Sequence, residues 1–151
     1  MNEKKFVYVT YIDTTPEKLW EALTNTEFMK KYWFGSNFET DWKIGSTIKE
    51  TQQDGSPGFQ GELVQFEPPQ LLSYTFYTES EMKTQVTFDI KPQGAAVKLT
   101  TTHEGYEPGS KDYQSISGGW SAVLSSLKTF LETGKPLEID EEQEEQGYKT
   151  A

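Results

Sequence analysis

The stretch Ser117-Gly118-Gly119-Trp120-Ser121-Ala122-Val123-Leu124-Ser125-Ser126-Leu127-Lys128-Thr129-Phe130-Leu131-Glu132-Thr133-Gly134 decides the fold class. With Ile116 just before it, the apolar residues Trp120, Val123, Leu124, Leu127, Phe130 and Leu131 recur at steps of three and four. That spacing lays one wide stripe along an α-helix. Gly134 supplies a left-handed stop and Pro136 prevents resumption. A helix is therefore predicted over 111–133, about 35 Å long at 1.5 Å per residue. Gly118 and Gly119 each cost about 1 kcal/mol there relative to alanine. They mark a kink, a close approach to a neighbouring surface, or the start of the regular helix. A lone amphipathic helix must bury its stripe. The sequence upstream reads mostly as strand, so a sheet is the surface that receives it.

Residues 6–12 read as the first strand, apolar in both phases, which predicts cover on both faces. Thr15 is placed to cap a short helix that Pro16 begins, with Leu19, Trp20 and Leu23 inside. A second short helix follows Asn25-Thr26, anchored by Phe28, Met29 and Tyr32. Six strand-like segments come next: 36–40, 46–52, 59–66, 71–78, 84–90 and 95–103. Between them lie turn signals such as Asp54-Gly55-Ser56-Pro57-Gly58 and Pro92-Gln93-Gly94. Short connections imply antiparallel neighbours. The expected class is α+β: a strand, two short helices, about six further antiparallel strands, and a long C-terminal helix packed across the curved sheet. Residues 1–139 form the single domain. Residues 140–151, acidic and Gln-rich, read as a disordered tail.

Among 151 residues, 14 are lysine, none is arginine and 24 are acidic, giving a formal charge of -10. Without residues 140–151 the balance is still -6. No basic footprint is available for nucleic acid or an anionic membrane surface. No apolar run approaches the ~20 residues that span a bilayer, and mean hydropathy is -0.72. The first residues lack an apolar export core, so a cytoplasmic protein is expected. Cysteine is absent, which removes disulfide and thiolate chemistry. With one histidine, a metal site is not expected, and neither is a cofactor.

A helix across a curved sheet can leave a cavity between them. A small hydrophobic or aromatic guest is the leading functional reading. Ile116, Trp120, Val123 and Leu124 would line it from the helix. Ile48, Tyr74, Phe76, Phe88 and Leu99 would line it from the strands. Trp33 and Phe34, next to Gly35, form either a lid over the mouth or a plug at one end of the core. His103, in phase with Val97 and Leu99, points inward; it is either a proton shuttle or a hydrogen-bonded structural residue. Glu50 shares its phase with Ile48. It is either a carboxylate facing the interior, with a tyrosine or His103 as partner, or an outward group near a strand end. His103 and Glu50 are the candidate acid and base if a reaction is catalysed. No nucleophile elbow or phosphate loop accompanies them.

The segment Thr14-Thr15-Pro16-Glu17-Lys18-Leu19-Trp20-Glu21-Ala22-Leu23-Thr24 resembles the opening motif of the START-like, helix-grip superfamily. Within it the chain is most similar to homologues of the activator of the ninety-kilodalton heat-shock-protein ATPase. The matching pieces are Tyr32-Trp33-Phe34-Gly35, Leu99-Thr100-Thr101-Thr102-His103-Glu104-Gly105, and Gly118-Gly119-Trp120 through Leu131-Glu132-Thr133-Gly134. The resemblance spans about residues 4–137. It implies a seven-stranded antiparallel sheet gripping the last helix around a hydrophobic cavity. It also implies a range of functions: binding lipids, sterols or polyketides, acting as a cyclase or aromatase, or stimulating a chaperone ATPase. A chaperone-cofactor or stress-response interaction module, and a cyclase-type or hydrolytic enzyme using the same cavity, are the rival readings.

Overall fold

The computed structural model describes residues 5–77, 83–105 and 111–138, with backbone alone for 111–117. The expected turn at 79–81, the loop at 106–110 and the tail from 140 lie outside the described residues. Seven strands and three helices are described: β1 Lys5–Ile12, α1 Pro16–Thr24, α2 Thr26–Tyr32, β2 Asn37–Glu39, β3 Thr47–Thr51, β4 Pro57–Glu67, β5 Leu71–Phe76, β6 Thr84–Gln93, β7 Ala96–Glu104 and α3 Lys111–Thr133. The strands form one antiparallel sheet in the order β1-β7-β6-β5-β4-β3-β2. Only β1 departs from sequential order, crossing to pair with β7. Register shifts at Lys49/Thr51 and Leu63/Gln65 interrupt the β3–β4 and β4–β5 ladders. Such irregularities bend a strand and sharpen its twist, which curves the sheet around α3.

The helix ends follow their capping chemistry. Thr15 Oγ1 accepts from Lys18 N at 3.2 Å, with Pro16 opening α1. Asn25 Oδ1 accepts from the N–H groups of Glu27 and Phe28 to start α2. Gly134, at φ +87°, donates to Phe130 O at 2.8 Å and closes α3. The helix is unbroken across Gly118 and Gly119, and Gly119 is buried. Its far end is tied to β1 and the residue after it. Lys128 Nζ donates to Tyr11 O and to Glu132, and Glu132 accepts from Asp13 N. The Lys128 hydrogen bond, followed by the one from Asp13 N, holds the Glu132 carboxyl below its usual pKa.

Three expectations need correction. Residues Val7, Val9 and Tyr11 are 51%, 46% and 49% exposed, so β1 is covered on one face only. It is an edge strand, and none of the described elements packs on its outer side. Pro57 and Gly58 open β4 instead of completing the turn; proline is tolerated at a strand's first residue. Pro92 and Gln93 extend β6, opposite Val97 and Ala96. There β6 has outrun β5, whose pairing ends at Leu71↔Asp89, so the missing N–H of Pro92 breaks no ladder bond.

One glycine inside β4 is required by a close approach. A Cβ on Gly61 would fall on the backbone oxygen of Thr75 in β5. Backbone cannot yield as a side-chain tip can. Gly61→Ala should therefore destabilise the fold by about 1–3 kcal/mol, in the range of overpacked cores. Urea denaturation would show it as a lowered midpoint, and an unchanged midpoint would refute the close approach.

Candidate functional site

α3 lays Trp120 against the concave face of β5, β6 and β7. Its indole lies 5.7 Å from the Phe88 ring and 6.3 Å from the Phe76 ring, centroid to centroid. Its Nε1–H donates to His103 Nδ1 at 2.8 Å. Indole nitrogen only donates, so Nδ1 must be bare and the ring proton sits on Nε2. Nε2 is 2.7 Å from Thr84 Oγ1, and that hydroxyl in turn donates to Phe76 O at 2.6 Å. A relay of three hydrogen bonds thus joins α3, β7, β6 and β5. Burial lowers the His103 pKa to about 3. Protonating Nδ1 would also set two N–H groups against each other. The imidazole is neutral, with both nitrogens engaged. Among the described residues its side-chain hydrogen-bond partners are Trp120 and Thr84.

The rest of the interior is aromatic. Phe59 stacks on Phe76 at 4.1 Å and on Tyr74 at 5.7 Å. Trp33, which ends α2, lies 4.9 Å from Phe38, 6.2 Å from Phe59 and, edge to face, 5.5 Å from Trp120. Such pairs contribute beyond the area they bury. Burial, then the Tyr32 hydroxyl and the Glu50 carboxylate, raise the Tyr74 pKa well above its ordinary value. Among the described residues three buried polar atoms have no hydrogen-bond partner: Trp33 Nε1, Thr101 Oγ1 and Ser126 Oγ. All three belong to residues at most 4% exposed.

Glu50 is buried beside Ile48, on the inward phase. Ser36 Oγ donates to Oε2 at 2.7 Å and Phe59 N donates to Oε1 at 3.2 Å. A Cβ on Gly58 would overlap this carboxylate, so the glycine provides the space it occupies.

The sequence matches the family model described as Activator of Hsp90 ATPase homolog 1-like protein over residues 13–132. The chain belongs to this family. No curated protein matches it. Among solved structures it is similar to an Aha1 dimer from Colwellia psychrerythraea, at 24% identity and TM-score 0.77, covering 87% of this chain and 98% of that one. It is similar to CalU16 from Micromonospora echinospora, at 17% identity and TM-score 0.72, covering 86% and 77%. An HSP90 activator from Plasmodium falciparum matches at 22% identity and TM-score 0.70, covering 85% and 96%. At these identities the likeness is one of fold.

In this member of the family, Ile48, Tyr74, Phe76, Phe88, Leu99, His103, Trp120, Val123 and Leu124 are all buried in the interior between sheet and helix. Ile116 lies where side chains are not described. Trp33 and Phe34 separate. Trp33 turns inward, while Phe34, at φ +53°, is half-buried at the edge of the core. Several site residues escaped the sequence reading. Phe38 sits in a strand of three residues, too short for a period. Phe59 follows Pro57-Gly58, which read as a turn. Thr84 was legible, since the phase of Val86, Phe88 and Ile90 extends back to it. Ser126 lies three residues beyond Val123, on the flank of the helix stripe.

Proposed function

We propose that this protein binds a small hydrophobic or aromatic molecule between the sheet and α3. The carrying observation is the Trp33 indole N–H, a buried donor with no acceptor, set among aromatic rings. Leaving such a group unpaired costs about 1–3 kcal/mol, and native proteins seldom retain that cost without a use. A guest with one acceptor satisfies it. Thr101 Oγ1 and Ser126 Oγ add two further unpaired polar atoms to a predominantly aromatic interior, the usual composition of a small-molecule site. Native mass spectrometry of freshly purified protein tests the reading by seeking a co-purifying small molecule. NMR titration with neutral aromatic compounds should shift the Trp33 and Trp120 indole resonances. No co-purifying mass and no shift would refute it.

A second reading is a cofactor for a chaperone ATPase. It rests on the family's name and on the row of Val7, Val9 and Tyr11 exposed along edge strand β1. Adding the protein to an Hsp90-type ATPase should raise its rate, and Val9→Lys should cancel the rise. An unchanged rate with the original protein would remove this reading.

A further inference from the structure

One hydrogen bond in the middle of the sheet fixes what β1 offers at its outer edge. Ile90 N donates to Gln70 O at 2.8 Å, so the even-numbered residues of β6 turn their backbone groups towards β5. Along an antiparallel strand successive residues face opposite neighbours. Thr87 and Asp89 therefore bond to Thr102 and Thr100 of β7. By the same alternation Leu99, Thr101 and His103 bond to Thr10, Tyr8 and Phe6 of β1. The N–H and C=O groups of Val7, Val9 and Tyr11 are left facing away from β7. Lys128 agrees with this, since its Nζ reaches Tyr11 O from α3. Among the described residues no strand lies beyond β1.

The side chains along that edge match their own reverse. At alternate positions, all exposed, stand Lys5, Val7, Val9, Tyr11 and Asp13. A second copy laid antiparallel, with a two-fold axis through Val9, sets Val9 against Val9, Val7 against Tyr11 and Lys5 against Asp13. Each apolar side chain then meets an apolar one and each charge meets its opposite, the pairings that stabilise neighbouring strands. The backbone groups of Val7, Val9 and Tyr11 exchange N–H···O bonds with their opposite numbers. Tyr11 O has a second lone pair, so it accepts from Val7 of the other copy while keeping Lys128. Asp13 N is held by Glu132, which ends the ladder there. A foreign strand would satisfy the backbone equally. The order of side chains is what selects a second copy, and a two-fold contact of this kind closes at the dimer.

We propose that two copies of this protein pair β1 with β1, antiparallel about Val9, and so join their sheets. The pairing stands whether or not a guest occupies the interior. Each copy carries a formal charge of -10, which opposes the encounter. The full chain is therefore measured in about 1 M salt, where the screening length falls to about 3 Å. Sedimentation should show a dimer that grows with protein concentration. Val9→Lys removes the central apolar contact and sets two ammonium groups against each other, and should weaken association at least about fivefold. Val64→Lys, at an exposed position on β4, should leave the dimer unchanged. The chain has no cysteine, so introduced cysteines report the register. At Val9 the two Cα atoms would stand about 5.5 Å apart, within the reach of a disulfide, and mild oxidation should link Val9→Cys into a covalent dimer. Val7→Cys should not link to itself, since its two copies lie four residues out of register, about 13 Å. Mixed with Tyr11→Cys, it should link.

A chain that stays monomeric at every concentration would overturn the proposal and leave β1 to a different protein. A dimer that survives Val9→Lys would overturn it as well, by placing the interface elsewhere. So would Val9→Cys that links no faster than Val64→Cys, or Val7→Cys that links to itself. All of these positions are exposed, so the variants leave the core untouched, and the sedimentation of the unmodified protein needs no variant to fold.

Discussion

Replacing Trp120 with alanine should destabilise the protein by about 3–5 kcal/mol, the range for deleting a buried aromatic. The residue is 3% exposed and meets Trp33, Phe76, Phe88 and His103. Its removal opens a space that backbone from two layers cannot readily fill. It also leaves His103 Nδ1 without a donor, at a further cost of about 1–3 kcal/mol for an unpaired buried acceptor. The two contributions can be separated. Trp120→Phe keeps a ring and loses mainly the hydrogen bond, so it should fall well short of the alanine variant. Urea denaturation of the three proteins provides the comparison. An alanine variant within about 1 kcal/mol of the original would show that Trp120 is not the joint between helix and sheet.

Acid should unfold the protein through His103. The folded pKa of about 3 lies below the ordinary 6.5. Between those values the unfolded chain binds a proton that the folded chain does not. Stability therefore rises with pH across this window and is lost as pH falls from about 6.5 towards 3. At 1.36 kcal/mol per unit, His103 alone removes about 3 kcal/mol by pH 4, approaching 5 kcal/mol across the window. His103→Gln does not titrate there. It should be less stable than the original at neutral pH, since the relay to Thr84 and Trp120 is rebuilt imperfectly, yet it should lose less on acidification. Urea midpoints at pH 7 and pH 4 for both proteins test this. Parallel losses would mean that carboxylates elsewhere control the acid limit.

The legible parts of the fold were those with a strong period. The stripe from Trp120 to Leu131 and the stop at Gly134 yielded α3 with the bounds observed. The alternation of Val86, Phe88 and Ile90, and of Val97, Leu99 and His103, yielded the inward faces of β6 and β7. Apolar pattern records which side chains can be covered, and it does not record whether a second layer exists. Hence β1, apolar in both phases, looked doubly covered although Val7, Val9 and Tyr11 face outward. Side-chain partnerships between distant segments leave no periodic trace. The phase that Glu50 shares with Ile48 was readable, but not whether that phase faced inward or outward, and the groups that donate to its carboxylate, Ser36 and Phe59, come from the α2–β2 connection and a neighbouring strand. Likewise the phase of His103 aimed it inward, whereas its tautomer depends on Trp120 and Thr84 arriving from two other elements.

The pairing of β1 with β7 has a consequence for how the chain matures. Lys5 stands opposite Glu104, so the first strand finds its ladder partner among the described residues close to a hundred residues later. A nascent polypeptide must keep Phe6, Tyr8 and Ile12 waiting until nearly the whole domain has left the ribosome, and α3 seals the interior only after that. Long-range closures of this kind place folding towards the slow end, milliseconds to seconds, with greasy surface on show meanwhile. Translation arrested before α3 should therefore yield a sticky, dye-binding intermediate, and restoring the final helix should quench that signal.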